Sequence, residues 1–143
     1  MPRVRSADGF TLPEVLVVIF VIAILATIAV PTFLGHTDRG RDAAAKSNSA
    51  SLASMVEQCN IEHNDFRRCD TQDELAGDTA SVGLPIGPDP GSVEIAQANA
   101  NVYRILARSE SGVTYRVMRV GSGRQQRTCA PHNTAGCPTN GNW

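Results

Sequence analysis

The sequence predicts an α+β protein in which one long, kinked N-terminal helix packs on a three- to four-stranded antiparallel sheet. Residues 15–34 are apolar and carry no charged side chain, which is typical of a continuous helix. Residues 41–60 stay free of proline but turn amphipathic, so the helix is expected to continue through them. Residues 93–129 then alternate apolar and polar side chains between short turns, the pattern of antiparallel strands.

The apolar segment 15–34 is long enough to cross a membrane. A helix rises about 1.5 Å per residue, and a hydrocarbon core is about 30 Å thick. Arg3 and Arg5 precede the segment, which predicts that this end stays in the cytoplasm and that residues after about Gly35 face outward. Glu14 stands at the entrance of the segment, and a carboxylate in such a position is costly and normally marks a function.

The predicted helix runs from about Thr11 to Asn60 and changes character along its length. Pro31 cannot donate a hydrogen bond to the carbonyl of Thr27, and Gly35 weakens the following turn, so a flexible kink is expected there. Beyond it, an apolar stripe at helical spacing predicts packing against the sheet: Leu52, Met55, Val56 and Cys59. Asp42 and Lys46, one turn apart, are interpreted as a surface pair.

The remaining chain predicts a head built from loop and sheet. Residues 61–92 form an acidic, Pro/Gly-rich loop, with a possible short helix at 72–76. The strands are expected at Val93–Gln97, Val102–Ser109, Val113–Val120 and Arg124–Cys129. One alternating face should lie on the helix: Tyr103, Ile105, Ala107, Val113, Tyr115 and Val117. Residues 130–143 are predicted to be a C-terminal loop, with the place of Trp143 open.

Four cysteines follow the apolar segment, and an even number outside the membrane indicates two disulfide bonds. Three connectivities are possible. Proximity in sequence favours Cys59–Cys69 and Cys129–Cys137, which would close two small loops.

The residues Gly9 to Glu14, which read GFTLPE, resemble the class III signal of type IV prepilins. The resemblance implies the pilin fold, cleavage between Gly9 and Phe10, and N-methylation of Phe10. It also implies that Glu14 neutralises the N-terminal amine of a neighbouring subunit during assembly. A secretory signal peptide would need a small-residue A-x-A cleavage site. A lipoprotein would need a cysteine early in the chain. A plain membrane anchor would leave Glu14 unexplained.

The resemblance divides the chain into a cleaved cytoplasmic leader (1–9), a transmembrane or filament-core segment (10–34) and a globular head (35–143). The head comprises a helix half (41–60), a loop (61–92), a sheet (93–129) and a C-terminal loop (130–143). The implied function is that of a structural subunit of a type IV pilus-like surface filament. The alternative is a pseudopilin or minor pilin of a type II secretion or competence apparatus.

The implied partners are further copies bundled through the N-terminal helix, a prepilin peptidase, an inner-membrane assembly platform and the membrane itself before assembly. The precursor would be a single-pass membrane protein with its head outside the cytoplasm, and the mature form would belong to an extracellular pilus. DNA is a weaker candidate: Arg116, Arg119, Arg124 and Arg127 could form a basic strip, but no aromatic platform accompanies them.

No catalytic, cofactor or metal site is expected. His36, His63 and His132 are scattered, and no nucleophile lies in a recognisable motif. Cys59 and Cys129 each precede a histidine at zinc-ligand spacing, yet exported cysteines more often form disulfides. No acidic side chain follows Glu110, which disfavours a pseudopilin of the kind that binds calcium in its C-terminal loop.

Overall fold

The computed structural model describes residues 9–70, 75, 83–121, 123–134 and 136–143, with residues 31, 32 and 34 described by their backbone alone. The leader before Gly9 and most of the predicted helix at 72–76 lie outside the described residues. The elements are α1 (Leu12–His63), a 3-10 helix (Phe66–Cys69), β1 (Val93–Asn99), β2 (Val102–Arg108), β3 (Thr114–Arg119) and β4 (Gln125–Ala130). They belong to two compact units, Met1–Gly35 and His36–Trp143, which are treated separately below.

In the first unit, α1 is apolar on all sides. Its backbone begins with hydrogen bonds from the Glu14 and Val15 amides to the Thr11 carbonyl, at 3.1 and 3.2 Å. By length and composition, α1 is able to span a membrane. The helical backbone continues through residues 31 and 35. The flexible kink expected there stays a prediction.

In the second unit, the polar half of α1 packs on the sheet. Leu52 and Val56 of the predicted stripe are buried, whereas Met55 and Cys59 are half-buried at its edge. The facing side chains of the sheet are also buried: Tyr103, Ile105, Ala107, Tyr115 and Val117. Phe66 of the 3-10 helix closes one end of this core, with its ring 5.0 Å from that of Tyr103 in an edge-on arrangement. The predicted long helix on an antiparallel sheet is confirmed.

The sheet is an open meander in the order β1-β2-β3-β4, with every neighbouring pair antiparallel. Short connections explain this order, since consecutive strands joined by tight turns pair directly. The register places Ile105 opposite Val117, so that apolar side chains from both strands share the face toward α1. β1 has a bulge between Ile95 and Gln97 and ends at Asn99, two residues beyond the predicted end.

Two disulfide bonds tie the loops to this framework. Cys59 at the end of α1 is bonded to Cys69 of the 3-10 helix, and Cys129 of β4 is bonded to Cys137 in the C-terminal loop. Cys69, Cys129 and Cys137 are buried, so both bonds are continuous with the hydrophobic core.

Candidate functional site

The start of α1 carries a cap that involves Glu14. Thr11 is the residue just before the helix, and Glu14 is the third helical residue. The Thr11 amide donates to Glu14 Oε2 at 3.4 Å, and the Thr11 hydroxyl donates to the same oxygen at 3.5 Å. This is the glutamate half of a capping box, whose signature is Ser or Thr followed three residues later by Glu or Gln; the Glu14 amide donates to the Thr11 carbonyl rather than to its hydroxyl. The sequence reasoning overlooked it, although the signature Thr11-x-x-Glu14 is visible in the sequence.

Glu14 is the only charged residue between Phe10 and Thr37. Among the described residues its carboxylate has no cationic partner within ion-pair distance. It lies in the first turn of the helix, at the positive end of the helix dipole. The start of α1 therefore presents one carboxylate, without an ion-pair partner among the described residues, beside a wholly apolar surface.

The rest of the first unit presents apolar surface in every direction. The large apolar side chains from Phe10 to Phe33 are 48–82% exposed in the isolated chain. Interspersed alanines (Ala23, Ala26 and Ala29) provide positions at which another helix can approach closely. A helix that is hydrophobic all round is stable only when lipid or other protein covers it.

A buried carboxylate joins α1 to the C-terminal loop of the head. Asp42 is 1% exposed and accepts hydrogen bonds from the Ser111 hydroxyl at 2.5 Å and from the Gly136 amide at 2.6 Å. Lys46, one turn later, donates to the carbonyl of the same Gly136 at 2.8 Å. The interpretation of Asp42 and Lys46 as a surface pair was therefore wrong. Both bind Gly136, and helical spacing alone gives no sign of a partner so distant in sequence.

Hydrogen bonding decides the protonation of Asp42. Burial by itself raises the pKa of this carboxyl group, but the hydrogen bonds from Ser111, Ser109 and the Gly136 backbone outweigh burial and hold the pKa below its ordinary value. Burial, together with the nearby charge of Asp42, raises the pKa of the Tyr115 hydroxyl. The carboxylate is thus charged and the phenol neutral at physiological pH.

A second polar network holds the other end of the sheet. Glu57 of α1 forms an ion pair with Arg119 of β3 and accepts a hydrogen bond from the Tyr103 hydroxyl at 3.0 Å. The Gln125 amide donates to that hydroxyl at 2.8 Å. Burial, and then the charge of Glu57, raise the pKa of Tyr103. These contacts join α1, β2, β3 and β4 within the head.

The four arginines of the expected basic strip do not lie together. Arg119 and Arg127 are on the α1 side of the sheet, where Arg119 binds Glu57 and Arg127 lies 5.3 Å from the Trp143 ring. Arg116 is on the opposite face, because it lies between Tyr115 and Val117, which are both buried. Arg124 precedes β4 in the turn. A continuous cationic track for nucleic acid is therefore missing from these four positions.

Trp143 packs back onto the head. Its ring meets that of Tyr115 edge-on at 5.5 Å, and its indole N–H donates to the Thr128 carbonyl at 2.9 Å. The Lys46 ammonium lies 5.8 Å from the same ring. Trp143 thus contributes to the head's own packing at the edge of the core.

The cysteine side chains of the described part of the chain are neither free thiols nor clustered with other possible metal ligands. All four cysteines are in disulfide bonds. No group of three or more potential metal ligands occurs among the described residues. What distinguishes the molecule is the exposed apolar helix with its single acid.

Comparison with known proteins locates this feature within a family. The family model of the prokaryotic N-terminal methylation motif matches residues 4–30, which include the capped helix start and most of the apolar segment. The major component of the wide type IV pilus of Thermus thermophilus is 32% identical over 78% of this chain and 80% of its own length. The chain belongs to the type IV pilin family.

Other relatives of this pilin include components of a related apparatus. The type II secretion system core protein G of Vibrio cholerae is 29% identical over 63% of the pilin and 58% of its own length. The narrow type IV pilus major component of Thermus thermophilus is 36% identical over 45% of the pilin and 55% of its own length. No solved structure matches the chain.

Membership of this family implies that the pilin polymerises into a filament and is processed at its N-terminal motif. These relatives are named as pilus and secretion-system components rather than as enzymes. The apolar helix fits a membrane-anchored precursor that becomes part of a pilus.

Proposed function

We propose that this pilin is a structural subunit of a type IV pilus-like surface filament. The observation that carries the proposal is the start of α1, where one acid, Glu14, precedes a helix that exposes apolar side chains on all sides. In the membrane, lipid covers this surface. In the filament, helices of other copies cover it, with the alanines providing close approach.

The proposed maturation creates the ion-pair partner that Glu14 lacks among the described residues. A prepilin peptidase cuts between Gly9 and Phe10 on the cytoplasmic side and methylates the new amine of Phe10, which keeps a positive charge. The head faces away from the cytoplasm, and an inner-membrane platform adds subunits to the growing fibre. Because an unpaired carboxylate inside an apolar bundle is costly, each Glu14 takes the amine of a neighbouring copy. This pairing sets the register between subunits.

Two substitutions separate the charge of Glu14 from its cap. Glu14→Ala removes both, whereas Glu14→Gln removes the charge but retains a side chain suited to the capping box. Both variants should still be cleaved after Gly9, as intact mass would show by loss of the leader and gain of a methyl group. Both should be absent from filaments sheared from cells and detected by immunoblot with an antibody to the head.

The outcomes discriminate between two roles of Glu14. Filaments of Glu14→Gln at the wild-type amount, with none from Glu14→Ala, would assign Glu14 to helix capping and reject charge pairing. Filaments of both variants at the wild-type amount would reject any assembly role. Loss of cleavage in either variant would place the defect before assembly.

The relationship to the type II secretion system core protein G supports a second candidate, a pseudopilin or minor pilin of a secretion or competence machine. Electron microscopy of surface material labelled with the same antibody distinguishes the two. Regular, dense labelling along fibres identifies a major pilin. Labelling at the tip alone, or none, identifies a minor pilin or pseudopilin.

The helix around Pro31 and Gly35 is proposed to loosen as the subunit leaves lipid. Proline lacks the amide proton needed for the helical hydrogen bond, and glycine lowers helix propensity by about 1 kcal/mol relative to alanine. Pro31→Ala should stiffen this segment. Faster amide hydrogen exchange at residues 32–36 in the wild type than in Pro31→Ala would support the proposal, and equal exchange would reject it.

A further inference from the structure

The outer face of the head contains a cleft of about 280 Å³ between β3, β4 and the C-terminal loop. This face is opposite the one through which Tyr115 and Val117 enter the core. None of the residues that form the two polar networks of the head lines this cleft. Six polar side chains contribute to its lining: Thr114, Arg116, Thr128, His132, Asn140 and Asn142.

Arg116 is the main charged group of the cleft. It is exposed, and among the described residues its guanidinium group has no ion pair and no hydrogen bond. By contrast, Arg108 of β2 is paired with Glu94, and Arg119 of β3 is paired with Glu57. Arg116 therefore keeps all of its donors available to a ligand.

The strand register surrounds Arg116 with hydroxyl groups. Arg116 lies directly opposite Thr128 of β4, and Thr114 lies two residues before it on the same face. Both threonines are half-buried, so their positions are fixed by the sheet rather than by a mobile surface loop. One guanidinium group and two hydroxyl groups thus converge on the floor of the cleft.

The C-terminal loop forms the opposite wall and is closely packed there. The Cys129 amide donates to the Gly141 carbonyl at 2.8 Å, and an isolated bridge pairs Thr128 with Asn142. Gly141 has a φ of +68°, and a Cβ atom at this position would lie 2.5 Å from Nε2 of His132. The imidazole therefore rests directly on the Gly141 backbone, so the fold places it at the edge of the cleft.

The chemistry of this lining selects a negatively charged ligand. The side chains are one guanidinium group, one imidazole, two hydroxyl groups and two amides, with no carboxylate among them. The surrounding segment is also free of acids, since no acidic side chain follows Glu110 in the sequence. An arginine fork matches the geometry of phosphate, sulfate and carboxylate groups, and hydroxyl groups complete such contacts.

We propose that this cleft binds an oxyanion group, either as a free inorganic anion or as the phosphate, sulfate or carboxylate of a sugar. The Arg116 guanidinium group donates two parallel hydrogen bonds to the oxyanion, and the hydroxyl groups of Thr114 and Thr128 donate to its remaining oxygens. The volume of the cleft is near the lower limit of small-molecule sites, so one such group with an attached sugar ring fits the available space.

The test is a titration of the full mature pilin in detergent micelles, followed by backbone amide NMR at constant ionic strength. Inorganic phosphate and glucuronate are the two probes, with chloride replacing each anion in the blank. Saturable shifts are expected at the amides of Thr114, Thr128 and Gly141. Tighter binding of glucuronate than of phosphate would identify a sugar-borne group as the ligand, and the reverse order would identify the free anion.

Arg116→Gln should weaken binding of both probes by about tenfold or more, since charge-assisted bidentate contacts are lost. Arg124→Gln is the matched control, because Arg124 is exposed in the same acid-free segment but does not line the cleft. Thr128→Val removes a hydroxyl group while keeping the side-chain shape, and it should weaken binding severalfold. This variant tests the cleft independently of the arginine.

Two results would overturn the proposal. Absence of saturable shifts at the three amides with either probe would show that no anion binds in the cleft. Equal losses in Arg116→Gln and Arg124→Gln would show that the anions respond only to the diffuse positive charge of the segment.

Discussion

The two halves of α1 differ in the exposure of their apolar side chains. In the first unit, Phe20 and its apolar neighbours are exposed, and nothing else in the described chain covers them. In the head, Leu52 and Val56 of the same helix are buried against the sheet. The head therefore has a core of its own, whereas the first half depends on lipid or on other copies for its burial.

The two carboxylates of α1 show the same contrast. Asp42 receives hydrogen bonds from Ser111 and Gly136 within its own chain, so its negative charge is compensated. Glu14 receives only two long contacts from Thr11. A charge satisfied within the chain stabilises a fold, and a charge left unsatisfied beside an apolar surface is available to another molecule.

The largest effect on stability is expected from Leu52→Ala. Removing a fully buried leucine side chain leaves a cavity in the core and costs about 2–5 kcal/mol. The measurement is urea unfolding of the full mature protein in detergent, followed by the fluorescence of Trp143, which reports on the head. Phe20→Ala, which removes a larger but exposed side chain from the same helix, should leave this head transition unchanged.

Ile61→Ala serves as a second control within the head, because Ile61 is 82% exposed. Its unfolding free energy should match that of the wild type. If Phe20→Ala destabilised the head as much as Leu52→Ala, the two halves of α1 would form one cooperative structure, and the contrast between them would be wrong.

A smaller effect is expected from Asp42→Asn. The amide keeps the shape of the side chain but loses the charge, and its NH₂ group cannot accept the hydrogen bond from Ser111 or from Gly136. The cost is about 1–3 kcal/mol at neutral pH by urea unfolding. Asp38→Asn, on the exposed surface of the same helix, is the matched control and should have little effect.

The dependence of this effect on pH has a definite sign. Because the folded state holds the pKa of Asp42 below the ordinary value near 3.8, the carboxylate contributes its full stability above that value. The contribution is lost as the pH falls through the lower pKa of the folded state. Wild type and Asp42→Asn should thus converge in strong acid. A difference in stability that stays constant down to strong acid would contradict the charged, hydrogen-bonded state of Asp42.

The smallest effect is expected from Arg41→Gln. Arg41 pairs with Asp38 at 3.3 Å and with Glu110 at 3.1 Å, but all three side chains are about half exposed. Solvent screening limits such pairs to below about 1 kcal/mol, and added salt should reduce the difference further. If Arg41→Gln lowered the free energy of unfolding as much as Asp42→Asn in the same assay, the exposed ion pairs of Arg41 would contribute as much to stability as the buried hydrogen bonds of Asp42.

The elements that depend on local patterns were predictable from the sequence. An uncharged apolar run and the stripe containing Leu52 and Val56 each reflect helical spacing, which is set by neighbours in the chain. Strand alternation around Ile105 and Val117 reflects the two-residue period of a sheet in the same way. These patterns led to a long helix on a three- to four-stranded antiparallel sheet, and the structure has the helix and four strands.

Features that depend on distant partners were not predictable. Asp42 resembles any surface acid in sequence, because its burial arises from Gly136, which lies far along the chain. The arginines near the C-terminus looked like one cluster, but strand pleating places Arg116 and Arg119 on opposite faces. The grouping of Arg116 with His132 around one cleft likewise requires the fold of the C-terminal loop.

The attachment of Gly136 to α1 also has a consequence for biosynthesis. The hydrogen bond from its amide joins residues separated by 94 positions, so a nascent chain must be almost fully synthesised before Asp42 can meet its partner. Before residue 136 has been made, the acid can meet only the earlier partner Ser111, and the corner formed by Gly136 is incomplete. This corner of the head therefore depends on the last residues of the chain to be synthesised.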